Sequence, residues 1–264
     1  MLAMPAPTPY DVKFRLLGIP VRVHPLFWLI VALLGGLGRQ GVEPTQVLIW
    51  VGCVFVSILV HEYGHGLTAG AFGYRSTIAL HGFGGLCASE GERQTPVERL
   101  AVLFMGPGAG FLLFGLTLAV AYVAYGVTPQ EALGLGLAGQ FGWAETMRSG
   151  GLKFPSEFVL YLFFYLFQIN LFWGLINLLP IWPLDGGRIA GVFFEMADGR
   201  QGMRKAHTLS LVTAGVLAVV AAVQFERWFI ALFMAYFAFM NYQILQTMRS
   251  SGYGYGDDID LWRR

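Results

Sequence analysis

The sequence predicts an α-helical integral membrane protein, with about six transmembrane helices and a small β-hairpin or sheet beside a candidate metal-binding motif. Three observations carry this. Of the 264 residues, 56% are hydrophobic and only 12% are charged, against about 25% charged in an ordinary soluble domain. The apolar residues gather into runs near the ~20 residues that a helix needs to cross a bilayer. One of those runs ends on His61-Glu62-x-x-His65. The net charge of +1 gives no reason to expect a nucleic-acid partner.

Residues 1–24 read as a polar or amphipathic arm, cytoplasmic or interfacial. Pro5, Pro7 and Pro9 followed by Lys13 and Arg15 do not make a signal peptide. Val21, Arg22 and Val23 alternate as a strand does. His24-Pro25 opens an apolar segment over about 25–38, short for a span, and His24 reads as an interfacial residue rather than a ligand. Residues 46–70 form the second segment and carry the His-Glu motif at their C-terminal end.

Residues 71–95 are not a span. Ser76 to His81 look strand-like and Gly82-Phe83-Gly84-Gly85 is a turn signal, which together predict a short hairpin. Its open edge could take up an extended substrate strand, and a plain connecting loop fits the same residues. The third span, 97–125, is interrupted by Gly106-Pro107-Gly108-Ala109-Gly110, a break tolerated where helices pack closely or line a cavity. A polar connection over 126–156 leads to a fourth span at about 157–182, then to two more at about 207–224 and 227–248. The membrane domain is thus 25–248, its core about 46–200, followed by a polar tail, 249–264, expected to be disordered. Cys53 and Cys87 are too few for a disulfide framework and have no Cys-x-x-Cys spacing.

With six spans, thirteen of the 17 Lys and Arg fall on the side that holds both termini. Only Arg39, Arg148, Lys153 and Arg227 fall on the other. The positive-inside rule makes the richer side cytoplasmic. The ends of the spans that carry His61, His65 and Asp185 fall on that same side.

On a helix, residues four apart lie on one face, about 6 Å apart along the axis. His61 and His65 can therefore point at one ion, with Glu62 near enough to act on a water beside it, the arrangement of zinc peptidases. The plainer reading is a pair of polar residues where a membrane helix meets water. A catalytic zinc keeps three protein ligands, and Asp185 is the expected third. Pro180 and Pro183 force a bend and Gly186-Gly187 let the chain turn back, so the carboxylate can enter the bundle. An ordinary turn at a helix end is the alternative there. Asn177 and Asn170 lie two helical turns apart, and two readings stand for each: positioning of substrate backbone or its oxyanion, or a hydrogen bond between helices. Glu145, Glu157 and Glu195 read as solvated or interfacial charges, and the lone His81 and His207 receive no catalytic role.

These motifs together resemble the site-2 protease family of intramembrane zinc metalloproteases. The resemblance is carried by Gly18-Ile19-Pro20-Val21-Arg22-Val23-His24-Pro25, His61-Glu62-x-x-His65-Gly66, Gly82-Phe83-Gly84-Gly85, Gly106-Pro107 and Asn177-Leu178-Leu179-Pro180-x-x-Pro183-Leu184-Asp185-Gly186-Gly187-Arg188. It covers about residues 18–200. It implies one Zn²⁺ per chain on His61, His65 and Asp185, Glu62 as the base, and Asn177 as a residue that positions the substrate strand. It implies substrates that are transmembrane proteins, cut in or near their membrane segments. One departure is Gly108-Ala109-Gly110, where the family often has an Asn shortly after Gly-Pro. The connection 126–156 is too short for an inserted PDZ domain, and the tail too short for a pair of CBS modules. Two other functions use the same residues: a silent zinc-binding pseudoprotease that captures membrane clients, and a zinc transporter or sensor. A pseudoprotease needs no Glu62, and a transporter is expected to place its ligands near the midplane, often in repeated halves.

Overall fold

A computed structural model describes residues 6–90, 94–141, 154–199, 201–225 and 228–250. Its contacts divide the chain into two units, residues 1–93 with 105–175 and residues 94–104 with 176–264.

The first unit begins with a sheet. Strands β1 (Val12–Leu16) and β2 (Ile19–Val23) form a hairpin. Its two turn residues, Leu17 and Gly18, both have positive φ, the backbone that matches strand twist in two-residue turns. Along β2, Ile19, Val21 and Val23 are buried and the residues between them are not. β2 pairs in parallel with β3 (Arg75–His81), Val21 opposite Ile78 and Val23 opposite Leu80. β3 turns through Gly82-Phe83 into antiparallel β4 (Gly84–Glu90). The order β1-β2-β3-β4 leaves β4 as an outer strand. The hairpin expected between 76 and 88 therefore forms, and the Val21/Val23 alternation is β2. β1 also alternates, with Val12, Phe14 and Leu16 on one face and Lys13 and Arg15 on the other, but most of it is exposed, so its apolar face meets no core as that of β2 does.

His24 is extended and caps α1 (Pro25–Leu34), its Nδ1 accepting the Leu26 amide at 3.1 Å. Three glycines, Gly36, Gly38 and Gly41, then take positive φ, which ends the helix after ten residues. The next helix, α2 (Pro44–Ala71), has proline in its first turn, where a missing N–H costs nothing. α1 and α2 enclose the sheet's buried face, Val21, Val23, Ile78 and Leu80 meeting Phe27, Ile58 and Tyr63. α3 (Pro96–Tyr125) begins in a reciprocal cap, the Thr95 amide donating to Glu98 and the Glu98 amide to Thr95. α4 (Pro129–Phe141) repeats this device with Thr128 and Glu131. With α3 and α5 (Glu157–Asn177), α4 buries Val127, Leu135, Phe163 and Phe167.

The second unit holds the first turns of α3 and the end of α5, with α6 (Asp185–Ala197), α7 (Gly202–Val223) and α8 (Trp228–Ser250). Leu103 packs with Ile189 and Val192, and Arg99 pairs with Glu195 at 2.7 Å. Glu195, expected to be a solvated or interfacial charge, is an ion-pair partner. Ile181, Ala214, Met234 and Phe237 form a second core.

Five helices among the described residues, α2, α3, α5, α7 and α8, are long and apolar enough to cross a membrane. The sixth expected span is α1, about 15 Å long at 1.5 Å per residue against a ~30 Å hydrocarbon core. The fourth span ends at Asn177 rather than 182, because Pro180 and Pro183 follow. Glu145, and the expected tail from residue 251, lie outside the described residues.

Candidate metal centre

In the first unit, residues 61 to 66 of α2 are buried without a break, so the helix is covered on all sides where the motif lies. The Nε2 atoms of His61 and His65 are 3.2 Å apart. Two nitrogens each ~2.0–2.1 Å from a tetrahedral zinc sit roughly 3.4 Å apart, so the pair has the spacing of two ligands on one ion.

Glycines make room for this arrangement. A Cβ on Gly64 would overlap the Met105 carbonyl of α3, and a Cβ on Gly106 would overlap the His65 ring at Nε2. α3 thus touches α2 through backbone at the motif. On the sheet side, a Cβ on Gly85 of β4 would overlap the Glu62 carboxylate. Gly66 sits on the sheet through Ile19 and Cys87, and the Tyr63 hydroxyl donates to the Leu16 carbonyl at 2.8 Å. The base candidate is therefore held between its own helix and β4.

In the second unit, Asp185 is the first residue of α6 and is buried, with Leu184 extended before it. A carboxylate suits this end of a helix, where amide dipoles point at it. A Cβ on Gly186 would overlap the carbonyls of Leu178 and Leu179, and one on Gly187 the backbone of Ile181 and Trp182. The double-proline loop therefore lies directly on the first turn of α6.

The ligand atoms of His61, His65 and Asp185 all lie within 4.8 Å of one another, and all three residues are buried. Among the described residues, no other three His, Cys, Asp or Glu side chains meet this distance. Two imidazole nitrogens and one carboxylate oxygen are the donor set of an open, catalytic zinc site, so the residues fit one Zn²⁺.

Asn177 is buried at the last position of α5. Asn170 is buried too, its Nδ2 donating to Ser57 Oγ at 3.0 Å and to the Leu166 carbonyl at 2.9 Å. Ser57 lies one turn before His61, so this bond ties α5 to α2 just below the motif. Sequence reasoning missed three features: the contacts of Gly85, those of Gly106, and a buried pair, His207 with Asn241, 2.7 Å apart. An Asn in an apolar run was the clue to the last. Outside the spans, burial together with His24 and Arg22 holds His81 below the ordinary imidazole value. A bond from the Thr8 hydroxyl, with Arg22 beside it, pulls Asp11 down to about 2.

The profile described as Peptidase family M50 matches residues 49–221. The zinc-metalloprotease candidate sll0528 of Synechocystis sp. is 32% identical over 198 residues, which are 70% of this chain and 44% of that protein. Stage IV sporulation protein FB of Bacillus subtilis is 27% identical over 235 residues, 85% of this chain and 67% of that one. The solved site-2 protease from Methanocaldococcus jannaschii has the same fold, with a TM-score of 0.56 at 20% identity, over 89% of this chain and 95% of that one. The chain spans about half the length of the first curated relatives it matches, 44% and 55%.

Proposed function

Since the chain belongs to peptidase family M50, we propose that it is an intramembrane zinc endopeptidase, cutting other membrane proteins in or near their transmembrane segments. The observation that carries this is the buried set of His61, His65 and Asp185, with ligand atoms within 4.8 Å of one another and Glu62 next in line on α2.

Zinc bound there would lower the pKa of water towards ~7 and polarise the scissile carbonyl. His61, His65 and Asp185 would hold it. Glu62 accepts the proton of the attacking water and returns it to the leaving amine nitrogen. Its burial between α2 and β4 keeps the carboxylate in place for both transfers. The substrate must unwind locally, because a helical carbonyl is already hydrogen-bonded. β4, as an outer strand, can pair with the unwound segment by strand addition and would bring it past Gly85 to Glu62. Asn177 would hydrogen-bond the substrate backbone, and Asn170 would act from α5. The excess of Lys and Arg supports cytoplasmic termini, with the site near that face.

The test compares fragments of membrane proteins in cells that carry the wild type or Glu62→Gln, together with metal analysis of purified protein. Glu62→Gln keeps its zinc and cuts nothing; Asp185→Ala loses zinc and activity together. A Glu62→Gln protein that still cleaves refutes the mechanism. Zinc flux into vesicles without cleavage would make the protein a transporter.

A further inference from the structure

Trp182, three residues before Asp185, is gripped through its backbone by side chains of α7 and α8. Its amide donates to Ser210 Oγ at 2.9 Å, and its carbonyl accepts from Asn241 Nδ2 at 2.8 Å. The same Nδ2 donates to the Phe237 carbonyl at 2.8 Å. With both amide protons used, Asn241 Oδ1 must accept, so the His207 Nδ1 that lies 2.7 Å away carries the proton. That leaves His207 Nε2 as the acceptor nitrogen, buried without a hydrogen-bond partner among the described residues. His207, Ser210 and Asn241 are 1%, 0% and 0% exposed.

Such a cluster is costly between two apolar membrane helices. Binding α7 to α8 needs only the His207–Asn241 bond. The cluster goes further and satisfies both backbone polar groups of one residue, Trp182, in the loop before α6. Between that residue and Asp185 stand only Pro183 and Leu184, and the Leu184 amide is itself fixed on the Ile181 carbonyl at 2.8 Å. With Gly187 against the Trp182 backbone, the loop has little freedom to carry α6's first turn elsewhere.

We propose that His207, Ser210 and Asn241 are positioning residues: they clamp the Trp182 backbone and so hold the Asp185 carboxylate where it ligates zinc. This rests on the zinc reading above. Partners that orient metal ligands from outside typically account for 10–100-fold in affinity.

The test is Zn²⁺ affinity of the full chain in detergent, measured by competition with a chromophoric chelator, beside thermal unfolding of the metal-free protein. Asn241→Leu is expected to weaken zinc binding by about 10–100-fold. His207→Leu weakens it as well, while His207→Asn, whose amide can donate from the Nδ1 position, restores near wild-type affinity. Phe237→Leu, a core change on the same helix, lowers the unfolding midpoint and leaves zinc affinity alone. Should Asn241→Leu fail to fold, Ser210→Ala, which removes one acceptor from the Trp182 amide, takes its place with the same expectation. Wild-type affinity in both Asn241→Leu and Ser210→Ala overturns the clamp and leaves the peptidase reading intact. Zinc loss in step with stability across all variants, Phe237→Leu included, overturns it too. A wild-type protein that binds no zinc removes both readings.

Discussion

Gly106 of α3 faces the imidazole of His65 so closely that a Cβ would overlap Nε2. Gly85 of β4 stands in the same relation to the Glu62 carboxylate. One glycine guards a ligand and the other guards the base, so their alanine variants should fail in different ways. Gly106→Ala displaces the ring and is expected to lower zinc content and activity together. Gly85→Ala is expected to keep zinc at one per chain while cleavage falls by about ten-fold or more, up to the roughly 10²–10⁴-fold that a general base contributes. Gly115→Ala on α3 meets nothing within 4 Å and serves as the neutral control. Metal analysis and a cleavage assay on the three proteins check this; full zinc in Gly106→Ala would detach the glycine from the site.

The bond from Asn170 to Ser57 joins α5 to α2. Hydrogen bonds between membrane helices average about 0.6 kcal/mol by double-mutant cycle. Asn170→Leu and Ser57→Ala should therefore show a coupling of about 0.6–1.7 kcal/mol when unfolding is followed in detergent. The same variants separate two roles for Asn170. If it only fastens the helices, both variants lose activity alike. If it also meets substrate, Asn170→Leu loses much more than Ser57→Ala.

How far the residues announced this arrangement differs from place to place. His61, Glu62 and His65 share one helix, so their geometry follows from 3.6 residues per turn. Asp185 was legible because two prolines and two glycines leave a bend with few other uses. β2 showed in its alternation; β1 alternates too, Val12, Phe14 and Leu16 against Lys13 and Arg15, but the prolines just before it make the stretch read as an arm. The sequence makes α1 look longer than it is, since apolar Leu37 sits among the glycines that end the helix. The contacts of Gly85 and Gly106 could not be read at all. A glycine's role here is the space it leaves for a residue far away in sequence, and no local pattern records that. Asn241 in an apolar run signals a buried polar group, but its 34-residue separation from His207 gives no helical spacing that would pair the two.

Zinc itself should stabilise the fold, because its three ligands come together only in the native chain. A ligand that binds the folded state alone adds RT ln(1 + [L]/Kd), about 2.7 kcal/mol at a hundredfold excess over Kd. Thermal unfolding with added Zn²⁺ should then shift upward relative to a chelator-treated sample, and Asp185→Ala should abolish most of the shift. Equal shifts in the two proteins would mean that zinc binds elsewhere.

His81 makes the sheet sensitive to mild acid. It is buried at the end of β3, its Nδ1 accepts the Phe83 amide at 3.2 Å, and burial with the charges of His24 and Arg22 keeps its pKa below the ordinary 6.5. The unfolded chain therefore binds a proton that the fold resists. The contribution of His81 to stability is full above pH 6.5 and is lost as the pH falls through its lowered native value, with a slope of at most about 1.4 kcal/mol per pH unit. His81→Asn keeps an acceptor for the Phe83 amide and does not titrate. Between pH 8 and 5, amide exchange in β3 and β4 should lose protection more steeply in the wild type than in His81→Asn, after correction for intrinsic exchange rates. Every other group is common to the two proteins and cancels in the difference. Equal slopes would show that the fold does not hold His81 neutral.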